Sequence, residues 1–323
     1  MASRRNFIID GSLATAAMAL MPFAAGGRDS VSAAPGRGAG PAEPKRFSGT
    51  LRRRAIPSSG EEIPVMGLGT SGSFEVGTGA GERAPLREVL ARLVAAGASV
   101  IDTAPTYGSA ESVLGDLIAE AGIRERLFLA TKLSGVSGRA EGLAQFEQSL
   151  NRLRTDKVEL LQVHNLRDTR TQLALARELK QQGKVKYVGL THYLERAQDE
   201  MADAMQALKP DFVQINYSPV TRGAEKRIFP LARDMGIAVM INRAFEDGRL
   251  FARVKGRAVP VWAHEVGADS WAQLFLKFVL SQPAVTVVIP ATSKPRNETD
   301  NLNGGVGALL DQRQRAALIA ALS

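Results

Sequence analysis

From about residue 65 onward, short runs of apolar residues alternate with longer segments whose apolar residues recur every three or four positions. The short runs have the length and composition of buried strands, and the longer segments have the spacing of amphipathic helices. Eight runs occur, at residues 65–69, 98–102, 127–131, 158–164, 185–191, 211–216, 237–242 and 285–290. Strands that alternate with helices indicate parallel βαβ units. Eight of them favour closure into a (β/α)8 TIM barrel of the α/β class.

The helical segments between these runs have roughly 10–15 residues each and carry one apolar face. The segment 85–97 shows the pattern, because its apolar residues recur at helical spacing and Gly97 provides a C-cap. The segments 140–153 and 171–183 repeat this pattern. Each predicted helix is therefore long enough to connect two parallel strands.

A β-hairpin is predicted just before the first barrel strand. Residues 50–57 and 63–69 have strand-like patterns and flank residues 58–62, whose composition favours a turn. The alternative fold for alternating strands and helices is an open sheet that binds dinucleotides. That fold carries a GxGxxG motif where the first strand passes into a helix, and this chain has none there. The sequence therefore favours the barrel.

The composition limits the chemistry available to the protein. The chain has 323 residues, of which 45% are hydrophobic, so it can bury the core of one large domain or of two smaller ones. It contains no cysteine, which excludes disulfides, thiolate catalysis and sulfur-ligated metal sites. The three histidines, His164, His192 and His264, are too few for a typical multi-histidine metal site. We therefore expect no bound metal.

The first fifty residues differ in composition from the rest of the chain. Residues 3–8 read SRRNFI, with paired arginines before two apolar residues, and a modest apolar stretch follows at 13–25. Small residues at 31–34 then offer cleavage sites, and the whole arrangement resembles a twin-arginine export signal. We predict a signal peptide over residues 1–33, a flexible linker over 34–47 and a folded barrel domain over 48–323.

This interpretation predicts export of the folded protein, to the periplasm, by the twin-arginine translocation machinery. A short N-terminal helix or an amphipathic anchor is the alternative for the same residues. The apolar stretch 13–25 is shorter than the roughly 20 residues that a membrane span requires. We therefore expect no stable membrane span.

The net charge of +8 is concentrated at the N-terminal end of the chain. The first 54 residues contain nine basic and three acidic residues, which leaves the remainder nearly neutral. A nucleic-acid-binding surface requires a basic stripe with interleaved aromatic residues on the folded body. The sequence shows no such stripe, so we expect no nucleic-acid partner.

Polar side chains follow the ends of three successive predicted strands. Asp102 ends the second strand, Lys132 follows the third, and His164 ends the fourth. In a (β/α)8 barrel the C-terminal strand ends form one rim, where active sites lie. Each residue also has an ordinary explanation, such as a helix N-cap, a solvated lysine or a hydrogen-bonded core histidine. Their coincidence on one rim, with Tyr107 in the loop after Asp102, favours a catalytic site.

These four side chains suit proton transfer to an oxygen that gains negative charge. A buried Lys132–Asp102 pair is unfavourable unless further hydrogen bonds compensate it, which indicates a functional role. The ammonium group would stabilise the phenolate of Tyr107 and lower its pKa from about 10, so that the phenol acts as a general acid. A neutral His164 would orient the same oxygen. Because none of these groups supplies electrons, a hydride must come from a cofactor.

The motifs around these residues resemble those of the aldo-keto reductases. The resemblance covers about residues 48–305, and its elements are MGLGT (66–70), IDTAPTYGSAE (101–111), ATK (130–132), LLQVH (160–164), QINYSP (214–219) and IPATSKPRNETDN (289–301). It implies a (β/α)8 barrel that interconverts aldehydes or ketones and alcohols with NAD(P)H and without a metal. It also implies a catalytic tetrad, with Tyr107 as the general acid, Lys132 and Asp102 as its tuning pair, and His164 orienting the carbonyl.

The same resemblance implies the residues that hold the nicotinamide nucleotide. Gln214 matches the residue that holds the carboxamide, and Thr191 and His192 stand where the family usually has Ser-Asn. Asn242 occupies the position of the aromatic residue that stacks on the nicotinamide, so the stacking partner is unassigned, and Arg243 could clamp the pyrophosphate. The predicted cofactor-binding residues are Thr70, Thr191, His192, Gln214, Asn242, Arg243, Thr292, Ser293, Lys294, Arg296, Asp300 and Asn301.

The segment 289–301 resembles the family's nucleotide-tail segment. Residues 292–294 would meet the ribose 2′-phosphate near a helix N-terminus, which suits anions, and residues 300–301 would face the adenine. Arg296 stands one residue before the position where the family often has an arginine. Together, Lys294 and Arg296 favour NADP(H) over NAD(H).

Two other classes of function remain open from the sequence. A nicotinamide-nucleotide-binding redox sensor or regulatory subunit with little turnover would fit the unusual residues His192 and Asn242. A metal-dependent barrel hydrolase would need several histidines and carboxylates at the strand ends, and the chain supplies too few. We expect a monomer that acts on a small carbonyl compound, whose identity the sequence does not specify.

Overall fold

Eight parallel strands and a short antiparallel hairpin account for the β-structure of the described residues. The computed structural model describes residues 46–323; the predicted signal peptide (1–33) and the predicted linker as far as residue 45 lie outside them. The predicted hairpin is present and consists of β1 (Arg53–Ala55) and β2 (Glu62–Pro64). Its second strand ends at Pro64 and does not extend to residue 69 as predicted, because the chain there enters the barrel as a separate strand.

The parallel strands form the barrel. They are β3 (Gly67–Gly69), β4 (Val100–Asp102), β5 (Phe128–Leu133), β6 (Val158–His164), β7 (Val185–Thr191), β8 (Phe212–Asn216), β9 (Ala238–Asn242) and β10 (Val285–Val288). Each strand is hydrogen-bonded to the next one along the chain. Single bridges from Met66 to Val288 and from Gly69 to Ala291 join the last strand to the first. The predicted (β/α)8 TIM barrel is therefore confirmed.

Helices connect the strands and cover the outside of the barrel. They are α1 (Ala80–Ala95), α2 (Ala110–Ala121), α3 (Arg139–Leu153), α4 (Thr169–Gln181), α5 (Gln198–Leu208), α6 (Ile228–Met235), α7 (Arg249–Arg253), α8 (Trp271–Leu280), α9 (Pro295–Asn303) and α10 (Gln312–Leu322). The first helix begins before the predicted start at Pro85, because a proline removes only one hydrogen bond there and the residues before it still form the first turn. Within residues 46–323, no helix is long and apolar enough to cross a membrane.

The hairpin closes the N-terminal end of the barrel. Its apolar residues Ile56 and Ile63 pack in a cluster separate from the main core. Several other members lie at or near the starts of barrel strands, namely Val100, Phe128, Tyr187, Phe212 and Ala238. The predicted site residues lie at the opposite end of the barrel, at the C-terminal ends of the strands.

Contacts between the two ends of the described chain hold the hairpin in place. The guanidinium group of Arg54 donates hydrogen bonds to the carbonyl oxygens of Leu280, at 2.6 Å, and of Val285. The backbone N–H of Arg52 donates to the carbonyl oxygen of Gly305 at 3.1 Å. The hairpin that precedes the first barrel strand is thus fixed to residues more than two hundred positions later in the chain.

Candidate active site

Asp102 and Lys132 form a buried ion pair at the C-terminal ends of β4 and β5. The Lys132 Nζ atom donates to Asp102 Oδ2 at 2.6 Å and to the carbonyl oxygen of Thr103 at 2.7 Å. The exposed fractions of the two side chains are only 0% for Lys132 and 4% for Asp102. Burial alone would lower the pKa of Lys132, but Asp102 and Tyr107 together raise it above its ordinary value. The lysine therefore stays charged.

Two glutamines complete the hydrogen bonding of Asp102. Gln162 Nε2 and Gln214 Nε2 each donate to Asp102 Oδ1 at 2.9 Å. The Thr191 hydroxyl in turn donates to Gln214 Oε1 at 2.9 Å. A buried ion pair is tolerated when further hydrogen bonds satisfy its remaining polar atoms, and this network provides them. Gln162 was not predicted, although it lies two residues before His164 and therefore on the same face of β6.

Tyr107 lies in the loop after β4, half-buried above the ion pair. Its ring centre is 4.8 Å from Lys132 Nζ, and the ring meets that of His164 edge to face with a centroid separation of 6.1 Å. Burial raises the pKa of Tyr107, and this effect outweighs the opposing attraction of Lys132. The predicted lowering of this pKa is therefore wrong. The phenol is held in its protonated form.

His164 ends β6 and is electrically neutral. Burial lowers its pKa to about 3, and the nearby charges of Lys132 and His192 act in the same direction. Its Nδ1 atom lies 2.7 Å from the hydroxyl oxygen of Ser134, a second residue that the sequence analysis missed. Ser134 follows Lys132 by two positions, so strand periodicity could have identified it. The imidazole can act as a hydrogen-bond partner but not as a positive charge.

A cavity of about 490 Å³ opens over these side chains at the C-terminal end of the barrel. Eight of the predicted site residues line it: Thr70, Asp102, Tyr107, His164, Thr191, Gln214, Asn242 and Arg243. Lys132 does not line the cavity itself, but it contacts Asp102 and Tyr107, which do. Within the described part of the chain, no group of three or more His, Cys, Asp or Glu side chains could hold a metal ion.

A second cavity, of about 300 Å³, shares Phe245, Phe251 and Ala291 with the first. Three residues predicted to bind the nucleotide tail line this second cavity, namely Thr292, Asp300 and Asn301. The two cavities thus adjoin across the loop that follows β9. Together they form an elongated cleft from the catalytic side chains to α9.

The other predicted tail residues lie beside the second cavity. Lys294 is exposed and forms the N-cap of α9, and its backbone N–H donates to the Thr292 hydroxyl at 3.1 Å. Arg296 is exposed in the first turn of the same helix, and Ser293 is half-buried. The carboxylate of Asp300 accepts hydrogen bonds from Ser270 and Gln273, which fix it to the start of α8.

Comparison with known proteins identifies the family. A model of the aldo/keto reductase family matches residues 65–321. The chain belongs to the aldo/keto reductase family. Aldo-keto reductase YhdN of Bacillus subtilis (strain 168) is 30% identical over 218 residues, a match that covers 62% of this chain and 64% of that protein. Aldo-keto reductase str7 of Strobilurus tenacellus is 28% identical over 290 residues, covering 78% of this chain and 84% of that protein.

A solved aldo/keto reductase agrees with this assignment. The enzyme from Klebsiella pneumoniae, in complex with NADP and acetate, superimposes with a TM-score of 0.67 and is 26% identical. The superposition covers 80% of this chain and 91% of that one. The matched part of YhdN is a little under two thirds of its length. The family match extends over most of the described chain, from residue 65 to residue 321.

In this aldo/keto reductase, two residues predicted to bind the cofactor, His192 and Asn242, are bonded to neighbouring protein groups. His192 does not line the 490 Å³ cavity. Its Nδ1 atom accepts from the Leu194 N–H at 3.1 Å, and its ring stacks on that of Tyr193. Asn242 donates to Gln214 Oε1 at 3.2 Å and to the carbonyl oxygen of His192 at 3.3 Å. Its Oδ1 atom is buried and has no hydrogen-bond partner among residues 46–323.

Gln214 is already fully engaged within the protein. Its Nε2 group donates to Asp102 and to Gln162, and its Oε1 atom accepts from Thr191 and from Asn242. An amide side chain has two N–H donors and one oxygen with two lone pairs. Gln214 Nε2 also lies 3.0 Å from Met240 Sδ, so a carboxamide could bind Gln214 only by replacing one of these contacts.

Proposed function

We propose that this aldo/keto reductase reduces an aldehyde or ketone to the alcohol with NADPH, and catalyses the reverse reaction when the alcohol is supplied. The observation that carries the proposal is the grouping of Tyr107, Lys132 and His164, of which Tyr107 and His164 line the 490 Å³ cavity. These side chains provide a proton donor, a fixed positive charge and a neutral hydrogen-bonding group. A carbonyl oxygen that becomes an alkoxide requires such partners.

The described side chains have distinct parts in this reaction. Bound NADPH would supply the hydride that none of them can provide. Tyr107 would donate its hydroxyl proton to the substrate oxygen, and the Lys132 ammonium group would stabilise the tyrosinate that remains. Asp102 holds Lys132 in place through the 2.6 Å ion pair. His164 would orient the substrate oxygen by a hydrogen bond.

The lining of the cleft supports a nicotinamide nucleotide as the cofactor. Its two adjoining cavities share residues, and each is lined by residues predicted to bind this ligand. The unpaired Asn242 Oδ1 atom is a buried acceptor on a residue that lines the catalytic cavity. At the other end, Lys294 and Arg296 place positive charge at the N-terminus of α9, where an anion is favoured. We propose Lys294 and Arg296 as the partners of a 2′-phosphate, which makes NADP(H) the preferred cofactor and NAD(H) the weaker one.

Replacing Lys294 should change the affinity for NADPH but not the affinity for NADH. We expect Lys294→Ala to weaken NADPH binding about tenfold, because one charge-assisted hydrogen bond to the phosphate is lost. NADH lacks this phosphate, so its affinity should change little. Fluorescence titration measures both constants. Lys157→Ala, at the N-terminal end of β6, is the control and should alter neither affinity. Equal losses for NADPH and NADH in Lys294→Ala would contradict the assignment.

The pH profile of reduction should be flat over the neutral range. The pKa of Tyr107 is raised above its ordinary value of 10.0, so the acid form that reduction requires persists through neutral and mildly alkaline pH. The pKa of His164, about 3, keeps the imidazole neutral over the same range. We expect kcat with saturating NADPH to stay constant from about pH 6 to about pH 9. A decline with a midpoint near neutral pH would contradict these assignments.

A single-turnover experiment tests the proposed function against its alternative. Protein loaded with NADPH is mixed with members of a broad aldehyde and ketone panel, and nucleotide fluorescence is followed. Rapid oxidation by at least one carbonyl compound is the expected result. The alternative, a nucleotide-binding redox sensor with little turnover, is favoured by the unusual His192 and Asn242. If no compound oxidises the bound NADPH, the reductase proposal fails and the sensor remains.

We also propose that the protein is exported with its nucleotide already bound. The twin-arginine motif at residues 3–8 suggests a route that carries folded proteins, and no free pool of NADPH is obvious outside the cytoplasm. In the loop after β9, an ion pair joins Arg243 to Asp247 at 3.3 Å, and Glu246 of this loop pairs with Arg249 at the start of α7 at 3.2 Å, which supports slow nucleotide release. Mass spectrometry of protein from the periplasmic fraction should detect NADP(H). Nucleotide-free protein in that fraction would contradict the proposal.

A further inference from the structure

A buried serine contacts His164 on the side of the imidazole ring that carries Nδ1. Ser134 directly follows β5, and its hydroxyl oxygen lies 2.7 Å from His164 Nδ1. Only 4% of Ser134 is exposed. We propose that Ser134 fixes the tautomer and the orientation of His164, so that the ring proton is carried by Nε2 and can be donated to the substrate oxygen. Ser134 is thus a positioning residue, which acts through the histidine.

The direction of the Ser134–His164 hydrogen bond follows from its surroundings. A neutral imidazole carries one proton, on either Nδ1 or Nε2. If Nδ1 carried it, Nδ1 would donate to Ser134, and the serine hydroxyl proton would then lack an acceptor. Among residues 46–323, this hydroxyl has no other hydrogen-bond partner. A buried donor without an acceptor is unfavourable, so the serine donates to Nδ1 and the proton of the ring lies on Nε2.

The position of Ser134 is itself fixed by α3. The side-chain oxygen of Gln145 accepts a hydrogen bond from the Ser134 N–H at 2.7 Å. The side-chain nitrogen of the same glutamine donates to the Ser134 carbonyl oxygen at 2.9 Å. Both polar groups of the Ser134 backbone are therefore held by a single side chain. The hydroxyl group is presented to His164 from a rigid support.

The tautomer determines what His164 can offer to a ligand. Nδ1 is occupied by Ser134, so Nε2 is the ring nitrogen available in the cavity. With its proton on Nε2, the imidazole is a hydrogen-bond donor next to the Tyr107 ring. With the opposite tautomer it would present a lone pair and repel a carbonyl oxygen. This catalytic consequence rests on the proposed function, whereas the tautomer itself does not.

Nitrogen NMR on protein labelled with 15N-histidine tests the tautomer directly. The chain has only three histidines, and the His264→Gln variant removes one of the two other signals. We expect His164 in the unaltered protein to carry its proton on Nε2 alone at neutral pH. In Ser134→Ala the second tautomer should become detectable, and Ser134→Thr, which keeps a hydroxyl group, should restore the single form. Gln145→Leu should have a weaker effect of the same kind.

Kinetics provide the second readout. Ser134→Ala should lower kcat about tenfold and leave KM within about twofold, because the lost orientation matters most in the transition state. The matched control is Ser149→Ala, which removes a buried hydroxyl group of α3 that donates to Glu111 and not to the histidine. It should alter neither kcat nor the His164 signal.

The role of Ser134 and the proposed reductase function would be overturned by different results. A single unchanged tautomer in both Ser134→Ala and Gln145→Leu, or an Nδ1 proton in the unaltered protein, would overturn the role of Ser134. A protein that oxidises no NADPH but shows the expected tautomers would overturn the proposed function and leave the Ser134 assignment intact.

Discussion

Tyr107→Phe should lower kcat for carbonyl reduction by about a thousandfold, because the substitution removes the general acid. Phenylalanine keeps the ring that lies 4.8 Å from Lys132 Nζ and meets His164 edge to face. The shape of the cavity and the affinity for NADPH should therefore be preserved. Stopped-flow measurement of NADPH oxidation gives the rate of the chemical step, and fluorescence titration gives the affinity.

The matched control for this substitution is Tyr187→Phe. The Tyr187 hydroxyl group donates to Glu61 at the N-terminal end of the barrel, away from the reaction. This variant loses a tyrosine hydroxyl group and a hydrogen bond, and its kcat should stay close to the original value. If Tyr107→Phe kept more than about a tenth of the original kcat, another group would have to donate the proton.

Glu298 should make the protein less stable as the pH rises through neutrality. The residue lies in α9, which packs against α1 and α8, and it is almost completely buried. Neither of its carboxyl oxygens has a hydrogen-bond partner in the part of the chain that the structure describes. Burial raises its pKa from 4.5 to about 8. At neutral pH the folded protein therefore holds a proton that the unfolded chain releases.

This proton couples the free energy of unfolding to pH. The stabilising contribution is fully present below pH 4.5, where both states are protonated, and is lost as the pH rises towards 8. The loss is about 1.4 kcal/mol per pH unit, or about 3 kcal/mol at pH 7. Glu298→Gln should abolish this pH dependence. Glu298→Leu should also remove the unpaired polar group and raise stability at every pH.

Urea unfolding at pH 5, 7 and 8.5 measures these effects. The control is Glu147→Gln, which replaces an exposed glutamate of α3 and should leave the pH dependence unchanged. Because Asp300 and Asn301 in the same helix line the second cavity, NADPH affinity should be compared in parallel. A Glu298→Gln variant with the pH dependence of the original protein would show that Glu298 is ionised in the fold.

The catalytic residues at the rim of the barrel were predictable because apolar runs and the polar residues at their ends coincide there. Apolar runs mark the strands, and each run that ends in a polar residue places that residue at the C-terminal face. Asp102, Lys132 and His164 come together for this reason, and the structure brings Tyr107 above them. The predicted start of α1 and the predicted end of β2 were less accurate, because residue propensities locate the ends of an element only approximately.

The supporting residues were not predictable in the same way. Gln162, Ser134 and Gln145 are ordinary polar residues, and their roles arise from hydrogen bonds between neighbouring elements. Glu298 resembles any surface glutamate of a helix until the packing of α9 is known. Strand periodicity can place Gln162 and Ser134 on the faces that carry His164 and Lys132, but it cannot specify what they bond.

The pKa of Tyr107 shows a different limit of prediction from the sequence. The sequence places a positive charge near the phenol, which by itself lowers the pKa. It does not give the degree of burial, which raises the pKa and has the larger effect in this protein. The direction of the pKa shift depends on burial and on the nearby positive charge, which act in opposite directions. Only the nearby charge can be inferred from a pattern of residues.

The contacts of Arg52 and Arg54 with residues 280–305 have a consequence for how the chain folds. The barrel also closes between β3 and β10, so its last pairings join residues that are far apart in sequence. Contacts of this kind form late, because closing a long loop is entropically unfavourable before other interactions hold it. A chain still emerging from the ribosome would leave the sides of β3 and β9 unpaired, and such exposed edges promote aggregation. We therefore expect that completion of the C-terminal segment removes both exposed edges, because β10 pairs with β9 and joins the first barrel strand.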